Sequence, residues 1–312
     1  MGKVVFGVDI GGTTVKMGIF TAEGVLIESW EIPTRKEENG RYILTDIGES
    51  ILEKMSSDGY DKEDVIGVGV GAPGPVDTRG NIHKAVNLGW GEFNIAEELK
   101  PLVQVPVKAG NDANVAALGE MWKGGAKGYS DVVAVTLGTG VGGGIIAEGS
   151  LIAGALGAAG EIGHIPVEEA ERDCCGCGKK GCLEQYASAN GIVRLAKKRL
   201  AQDDMPSILR QTEVTSKSVW DAVKAGDELA VEVADKFGYY FGKGLATIAT
   251  VVNPEVFVIG GGVSKAGEVL FTYVRPYFDK FVFHGCRQAD FKLATLGNNA
   301  GIYGAARLVI EK

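Results

Sequence analysis

Cys175, Cys177 and Cys182 lie in the turn-rich segment Cys175-Gly-Cys-Gly-Lys-Lys-Gly-Cys182, with His164 eleven residues before Cys175. Three soft thiolates and an imidazole complete the four-donor set of tetrahedral Zn²⁺, and with no position left for a catalytic water such a site is structural. The alternative is a cysteine-rich surface loop, yet clustered thiols without a metal are an oxidation liability. Glu161 and Glu184 flank the set. Carboxylates are acceptor-only groups, which suit a ligand rich in hydroxyl donors such as a sugar, and a metal-fixed loop would hold both in place.

Two Gly/Thr loops offer a second chemistry. Asp9-Ile-Gly-Gly-Thr-Thr14 and Gly138-Thr-Gly-Val-Gly-Gly-Gly144 each follow a Val/Ile-rich run. Glycine lets backbone N–H groups approach an anion closely and threonine hydroxyls add donors, so a pair of such loops suits a polyphosphate. Neither is a Walker sequence, because no Gly-Lys-Ser/Thr follows at the required spacing. Asp9 is placed to organise Mg²⁺ through water, and Lys16 to neutralise phosphate charge. Ordinary glycine-rich hairpins with a solvated Lys16 are the competing reading.

Ala109-Gly-Asn-Asp-Ala-Asn114 stands between a strand and a run of good helix formers. Asn or Asp there reads as a plain N-cap. It reads equally as a base, Asp112, that accepts the proton of a substrate hydroxyl. A helix N-terminus makes a carboxylate a weak base, but phosphoryl transfer through a loose transition state asks mainly for positioning. The two roles are compatible.

The elements that must carry these groups are α/β. The 47 glycines among 312 residues are about twice the usual share of ~7%, and they cluster at the ends of β-rich runs. The pattern predicts strands at 4–8, 15–20, 25–30, 65–70, 105–108, 132–137, 144–147, 256–259 and 291–295. It predicts helices at 43–55, 113–122, 187–200, 229–251, 267–278 and 300–310. Val4-Val5 leads through a Gly/Thr loop to Glu23-Gly24, and Val132-Val133 through another to Glu148-Gly149, an internal echo that predicts two similar domains facing each other across a cleft.

Composition excludes several classes. The length suits about two domains, each able to bury a core. Lys and Arg number 32 against 40 Asp and Glu, a net charge of −8, which opposes a nucleic-acid backbone. No apolar run approaches the ~18 residues of a membrane helix, and the run from Val4 to Val8 is too short for a signal-peptide core. A cytoplasmic protein is expected, and four of its five cysteines in one cluster favour a metal over disulfides.

Asp9-Ile-Gly-Gly-Thr-Thr-Val-Lys16, Asn111-Asp-Ala-Asn114, Gly160-Glu-Ile-Gly-His164 and Cys175-x-Cys177-Gly-x-x-Gly-Cys182-x-Glu184 together resemble the ROK family of repressors, open reading frames and sugar kinases. The resemblance runs along nearly the whole chain. It implies an actin-like ATPase (ribonuclease H-like) fold, with a smaller domain at 1–113 plus 300–312 and a larger one with the zinc loop at 114–299. It implies use of ATP and Mg²⁺ and 6-phosphorylation of a hexose. Asn87-Leu-Gly-Trp90 resembles the sugar-contacting loop of the glucose-phosphorylating members.

Carried over on matching positions, Asp112 takes the base role and Asn87, Asn111, Glu161, His164 and Glu184 take sugar hydroxyls. Gly11, Gly12 and Thr13, with Thr139 and Gly140, take the phosphates, and Gly261 and Gly262 lie where adenosine would sit. His164, Cys175, Cys177 and Cys182 take Zn²⁺, and His164 would use one ring nitrogen for metal and the other for sugar. The doubled Cys174-Cys175 departs from the pattern; the spacing selects Cys175, with Cys174 as competitor. A homodimer is implied by the resemblance alone. Alternatives are a kinase for mannose, fructose or N-acetylmannosamine, a sugar-binding regulator without catalysis, and a repressor, against which stand the acidic charge and a first strand beginning at Val4.

Overall fold

The run Val4 to Ile10 is buried along nearly its whole length, the signature of a central strand flanked on both faces. It forms β1 (Val4–Ile10) in the computed structural model, which describes residues 2–310. β1 pairs antiparallel with β2 (Thr14–Thr21), which pairs antiparallel with β3 (Leu26–Pro33). On its other side β1 pairs parallel with β4 (Val65–Ala72). The chain then makes a small ribbon of β5 (Asn81–Ile82) and β6 (Phe93–Asn94) before β7 (Val107–Asn111) joins β4 in parallel. The sheet order is β3-β2-β1-β4-β7.

The second sheet is built from β8 (Val132–Leu137), β9 (Val141–Ala147), β10 (Ser150–Leu151), β11 (Val256–Gly260) and β12 (Asp290–Leu293). Its order is β10-β9-β8-β11-β12, with β9 and β10 antiparallel and β8, β11 and β12 parallel. Strand for strand the two orders coincide, so the echo read from the sequence is a repeat of topology. Two compact units follow from the contacts. The first takes the chain up to Ser130, Gly144–Gly160 and the chain from Leu296 onward; the second takes Asp131–Gly143 and Glu161–Thr295.

Within the first unit the helix Ala300–Val309 lies directly on the sheet. A β-carbon on Gly7 or Gly69 would overlap the carbonyls of Ile302 or Ala305, so backbone meets backbone there. The same helix packs on the helix Asp112–Lys123 through Gly304, whose β-carbon would strike the Val115 carbonyl. The boundary expected at residue 113 therefore falls at the start of a helix packed on Ala300–Val309.

Local signals account for the departures from the expected elements. The helix expected at 187–200 is interrupted at Ser188, whose extended backbone ends Glu184–Ala187 and whose side chain caps Ala189–Leu200 by accepting from Gly191 N at 2.9 Å. Among the described residues, two nine-residue helices lie outside the expectation. Ile95–Val103 is short and carries Pro101, which masks its periodicity, while Ser216–Lys224 opens on a Thr215/Ser218 capping box.

Candidate active site

In the first unit the parallel register aligns Asp9 with Gly71, Gly71 with Gly110, and Ala72 with Asn111. Asp9 and the Asn111-Asp112 pair thereby reach the same C-terminal edge of the parallel strands, the usual ligand edge of α/β sheets. Asn111 is the N-cap of the helix Asp112–Lys123, accepting from Asn114 N at 3.1 Å. Capping thus falls to Asn111 and not to Asp112. Asn111 Nδ2 donates to Gly74 O at 3.0 Å and to Asp112 Oδ1 at 2.9 Å, and Ala113 N donates to the same oxygen at 2.7 Å. These bonds fix the orientation of the Asp112 carboxylate.

Burial pushes the Asp9 carboxyl up to about 6, the negative charge of Asp112 adds to the rise, and Lys16 opposes it. Lys16 stands opposite Asp9 across the hairpin and lies 3.9 Å from Glu31. A partly buried carboxylate beside a second one is a ready place for a divalent cation, which would offset both charges. The loop Gly11–Thr13 turns tightly, Gly11 N donating to Thr14 O at 3.0 Å. It is anchored by buried Thr34, which donates from Oγ1 to Gly11 O at 2.8 Å and from N to Thr13 O at 2.9 Å.

In the second unit β8 and β11 run in register from Val132/Val256 to Thr136/Gly260, so the loops that follow them emerge side by side. Gly261 has φ +83°, and its missing side chain lets it lie against the Leu137 backbone. Thr139, Gly140, Gly261 and Gly262 therefore share one edge.

His164, Cys175, Cys177 and Cys182 converge with their donor atoms all within 4.8 Å of one another. Cys177 and Cys182 sulfurs are 3.6 Å apart, and Cys175 Sγ lies 3.7 Å from His164 Nδ1. A tetrahedron with Zn–S bonds of about 2.3 Å has edges of roughly 3.8 Å, so the spacing fits this metal. Burial pushes the Cys175 and Cys182 thiols up, a cost that coordination by a divalent cation would offset. Cys174 is exposed and stands outside the group. Because Nδ1 faces Cys175, Nε2 is the nitrogen of His164 turned from the sulfurs. Glu184 Oε1 accepts from Cys175 Sγ at 2.8 Å and lies 3.8 Å from His164 Nδ1. Glu161 is exposed, and its carbonyl accepts from His164 N at 3.1 Å.

Comparison with known proteins sets these groups in a family. Residues 5–312 match the model of the ROK family. The chain belongs to the ROK family. It is 43% identical to a glucokinase of Halalkalibacterium halodurans over 98% of this chain and 94% of that protein. Among solved structures, a ROK family glucokinase from Streptomyces griseus in complex with glucose and AMPPNP shares 36% identity over 98% of each chain, with a TM-score of 0.75. A ROK hexokinase from Thermus thermophilus shares 31% identity over 98% of this chain and 97% of its own, with a TM-score of 0.81. The repeated five-stranded sheets are the actin-like ATPase fold of these ROK kinases.

Two residues that shape this ROK site were not singled out by sequence. Thr34 gives no local sign of its contact with a loop more than twenty residues away. Asp77 is buried and accepts from Arg79 N at 2.9 Å, Asn81 N at 3.0 Å and Asn81 Nδ2 at 2.9 Å, ordering the turn beyond Gly74. Burial would raise its carboxyl, but these bonds outweigh burial and hold it well below the usual range. Its signal was present as Asp77 followed by Gly80 three residues on, a type I turn pattern. Asn87 is exposed on the turn Val86–Leu88. Its loop is held by buried Trp90, which donates from Nε1 to Gly40 O at 3.0 Å and meets Phe93 edge-on. Among the described residues no helix is long and apolar enough to cross a membrane.

Proposed function

We propose that this ROK protein transfers the γ-phosphoryl group of ATP to the 6-hydroxyl of D-glucose. The observation that carries the reading is the 43% identity, over nearly the full length of both chains, to a protein known as a glucokinase. The fixed Asp112 carboxylate and the paired Gly/Thr loops agree with it.

In this reading Asp112 accepts the proton of the 6-hydroxyl as its oxygen bonds to phosphorus and the bond to the ADP oxygen breaks. The weak basicity of an anion at a helix N-terminus is tolerable because a loose transition state needs an aligned nucleophile more than a strong base. Asn87, Asn111, Glu161, His164 and Glu184 take the sugar hydroxyls. Gly11, Gly12, Thr13, Thr139 and Gly140 hold phosphate oxygens, Gly261 and Gly262 border the adenosine, and Lys16 balances charge. Mg²⁺, held through water by Asp9, would supply neutralisation of the phosphate oxygens. Zn²⁺ on His164, Cys175, Cys177 and Cys182 would supply rigidity and no reacting group. A cytoplasmic homodimer completes the proposal.

A coupled assay of the purified protein with MgATP across glucose, mannose, fructose and the N-acetylated hexosamines tests it. Glucose is expected to give the highest kcat/KM, because a site built to bond a hydroxyl penalises an analogue that misplaces it. Glu184→Gln is expected to weaken glucose binding by about 1.5–3 kcal/mol, the worth of a charge-assisted hydrogen bond. A higher kcat/KM for fructose or N-acetylmannosamine leaves a sugar kinase of different preference. No turnover of any hexose leaves a sugar-binding regulator.

A further inference from the structure

Glu184 stands between two features that the functional reading treats separately. Its Oε1 accepts from Cys175 Sγ at 2.8 Å, while its Oε2 occupies the space where a side chain at Gly140 would begin, 2.7 Å from an ideal β-carbon there. A second tie lies one helical turn further on. Ala189 N donates to Gly138 O at 2.8 Å, and Ala189 is the first residue of the helix Ala189–Leu200. The segment between is stiff. Cys182 is buried, Gln185 Oε1 accepts from Cys182 N at 3.0 Å, and Ser188 donates from Oγ to Glu184 O while capping the helix. From the thiolate cluster to the loop Gly138–Gly140 there is thus a continuous path of hydrogen-bonded groups only eight residues long, Cys182 to Ala189.

We propose that the metal cluster positions the phosphate loop after β8, through the segment Cys182 to Ala189 and the N–H of Ala189, so that metal occupancy sets nucleotide affinity independently of sugar. A metal-bound Cys175 thiolate has no proton to donate to Glu184, so that bond carries none of the coupling. The proposal rests on the reading of Gly138–Gly140 as a phosphate loop. The metal's role in this chain then extends beyond holding sugar-contacting carboxylates. Ala189 is a positioning residue that acts through its backbone N–H, without side-chain chemistry.

The test is equilibrium binding of Mg-AMPPNP, without sugar, to the metal-loaded protein and to three altered forms. Ala189→Pro deletes the N–H while suiting the first position of a helix, and Ser188 before it already has the extended backbone that a following proline requires. It is expected to weaken nucleotide binding about 3- to 10-fold, the loss of one hydrogen bond, with metal content and glucose affinity unchanged. Chelation that leaves the circular dichroism of the protein intact is expected to weaken nucleotide binding at least as much. Thr139→Ala reports on the underlying reading and is expected to weaken binding as well. Wild-type nucleotide affinity in Ala189→Pro, with Thr139→Ala impaired, overturns the proposal alone. Wild-type affinity in Thr139→Ala overturns the phosphate-loop reading and the proposal with it. If chelation unfolds the chain, Ala189→Pro decides the matter.

Discussion

The Asp9 carboxylate lies against Gly301, in the first turn of the helix Ala300–Val309, so closely that a β-carbon at residue 301 would overlap it. A strand-end carboxylate and a helix start nearly three hundred residues apart in sequence are thus fitted to each other. The helix N-terminus favours the anion, yet burial and Asp112 win and the carboxyl titrates near 6.

Asp9→Asn is therefore expected to stabilise the protein while lowering its turnover. A carboxyl whose folded pKa is raised from 3.8 to about 6 favours folding fully below pH ~4, and that contribution is lost as pH rises through about 6. At pH 8 the amide relieves a buried charge worth up to about 3 kcal/mol, at roughly 1.4 kcal/mol per pKa unit. Thermal melts from pH 8 to pH 4 check this: the gain in Tm should shrink steadily toward the acid end. A variant less stable than wild type at pH 8 contradicts it.

Asp112→Asn keeps the acceptor that Ala113 N and Asn111 Nδ2 require and removes the base. The fold and glucose affinity should survive, while kcat falls by the ~10² to 10⁴ typical of a lost general base. Single-turnover kinetics with MgATP, alongside calorimetric glucose binding, separate the two effects. A kcat near wild type removes Asp112 from the proton transfer.

About one zinc per chain is expected by elemental analysis. Cys177→Ser should lose the metal, since its sulfur lies 3.6 Å from Cys182 in the donor group. Cys174→Ser should retain it, because Cys174 stands exposed outside that group. The reverse pattern would mean that the register of the doubled cysteines is shifted by one.

Glu171 anchors the stretch between His164 and Cys175. It accepts from Tyr186 Oη at 2.5 Å and from Arg194, and Tyr186 stacks on Tyr240, whose hydroxyl donates to Glu168. Burial would raise the Glu171 carboxyl, but the Arg194 and Tyr186 bonds outweigh it and hold it at about 2. Its contribution is present above pH ~4.5 and is lost as pH falls toward 2. Glu171→Ala is expected to cost about 2 kcal/mol at pH 7, much of it from leaving Arg194 without this partner. Urea unfolding should show the difference at pH 7 and a smaller one near pH 3.5.

Groups carried by short, self-contained motifs were legible in the sequence. The Cys175–Cys182 spacing and the Gly/Thr loops are local statements, and runs such as Val132–Leu137 carry their strand identity in their own residues. The capping role of Asn111 against Asp112 was open, because both types cap helices and only backbone geometry separates them. Thr34 and Gly301 were illegible for a different reason: each acts on a residue distant in sequence, and nothing in its neighbours encodes the partner. The glycine excess by itself implies loop geometry, yet Gly7, Gly69 and Gly304 serve close packing inside regular elements.

That packing also sets an order of events at the ribosome. The face of β1 and β4 bared by Gly7 and Gly69 is covered by Ala300–Val309, so these strands wait, once made, for a helix more than two hundred residues further along the chain before their unit can close. The body of the second unit, Glu161–Thr295, is made without such a gap. Contacts of this sequence separation form slowly, and domains completed earlier in synthesis fold earlier. During translation the bared face of β1 and β4 is thus left longer in need of chaperone protection than the second unit, although those strands are made before it.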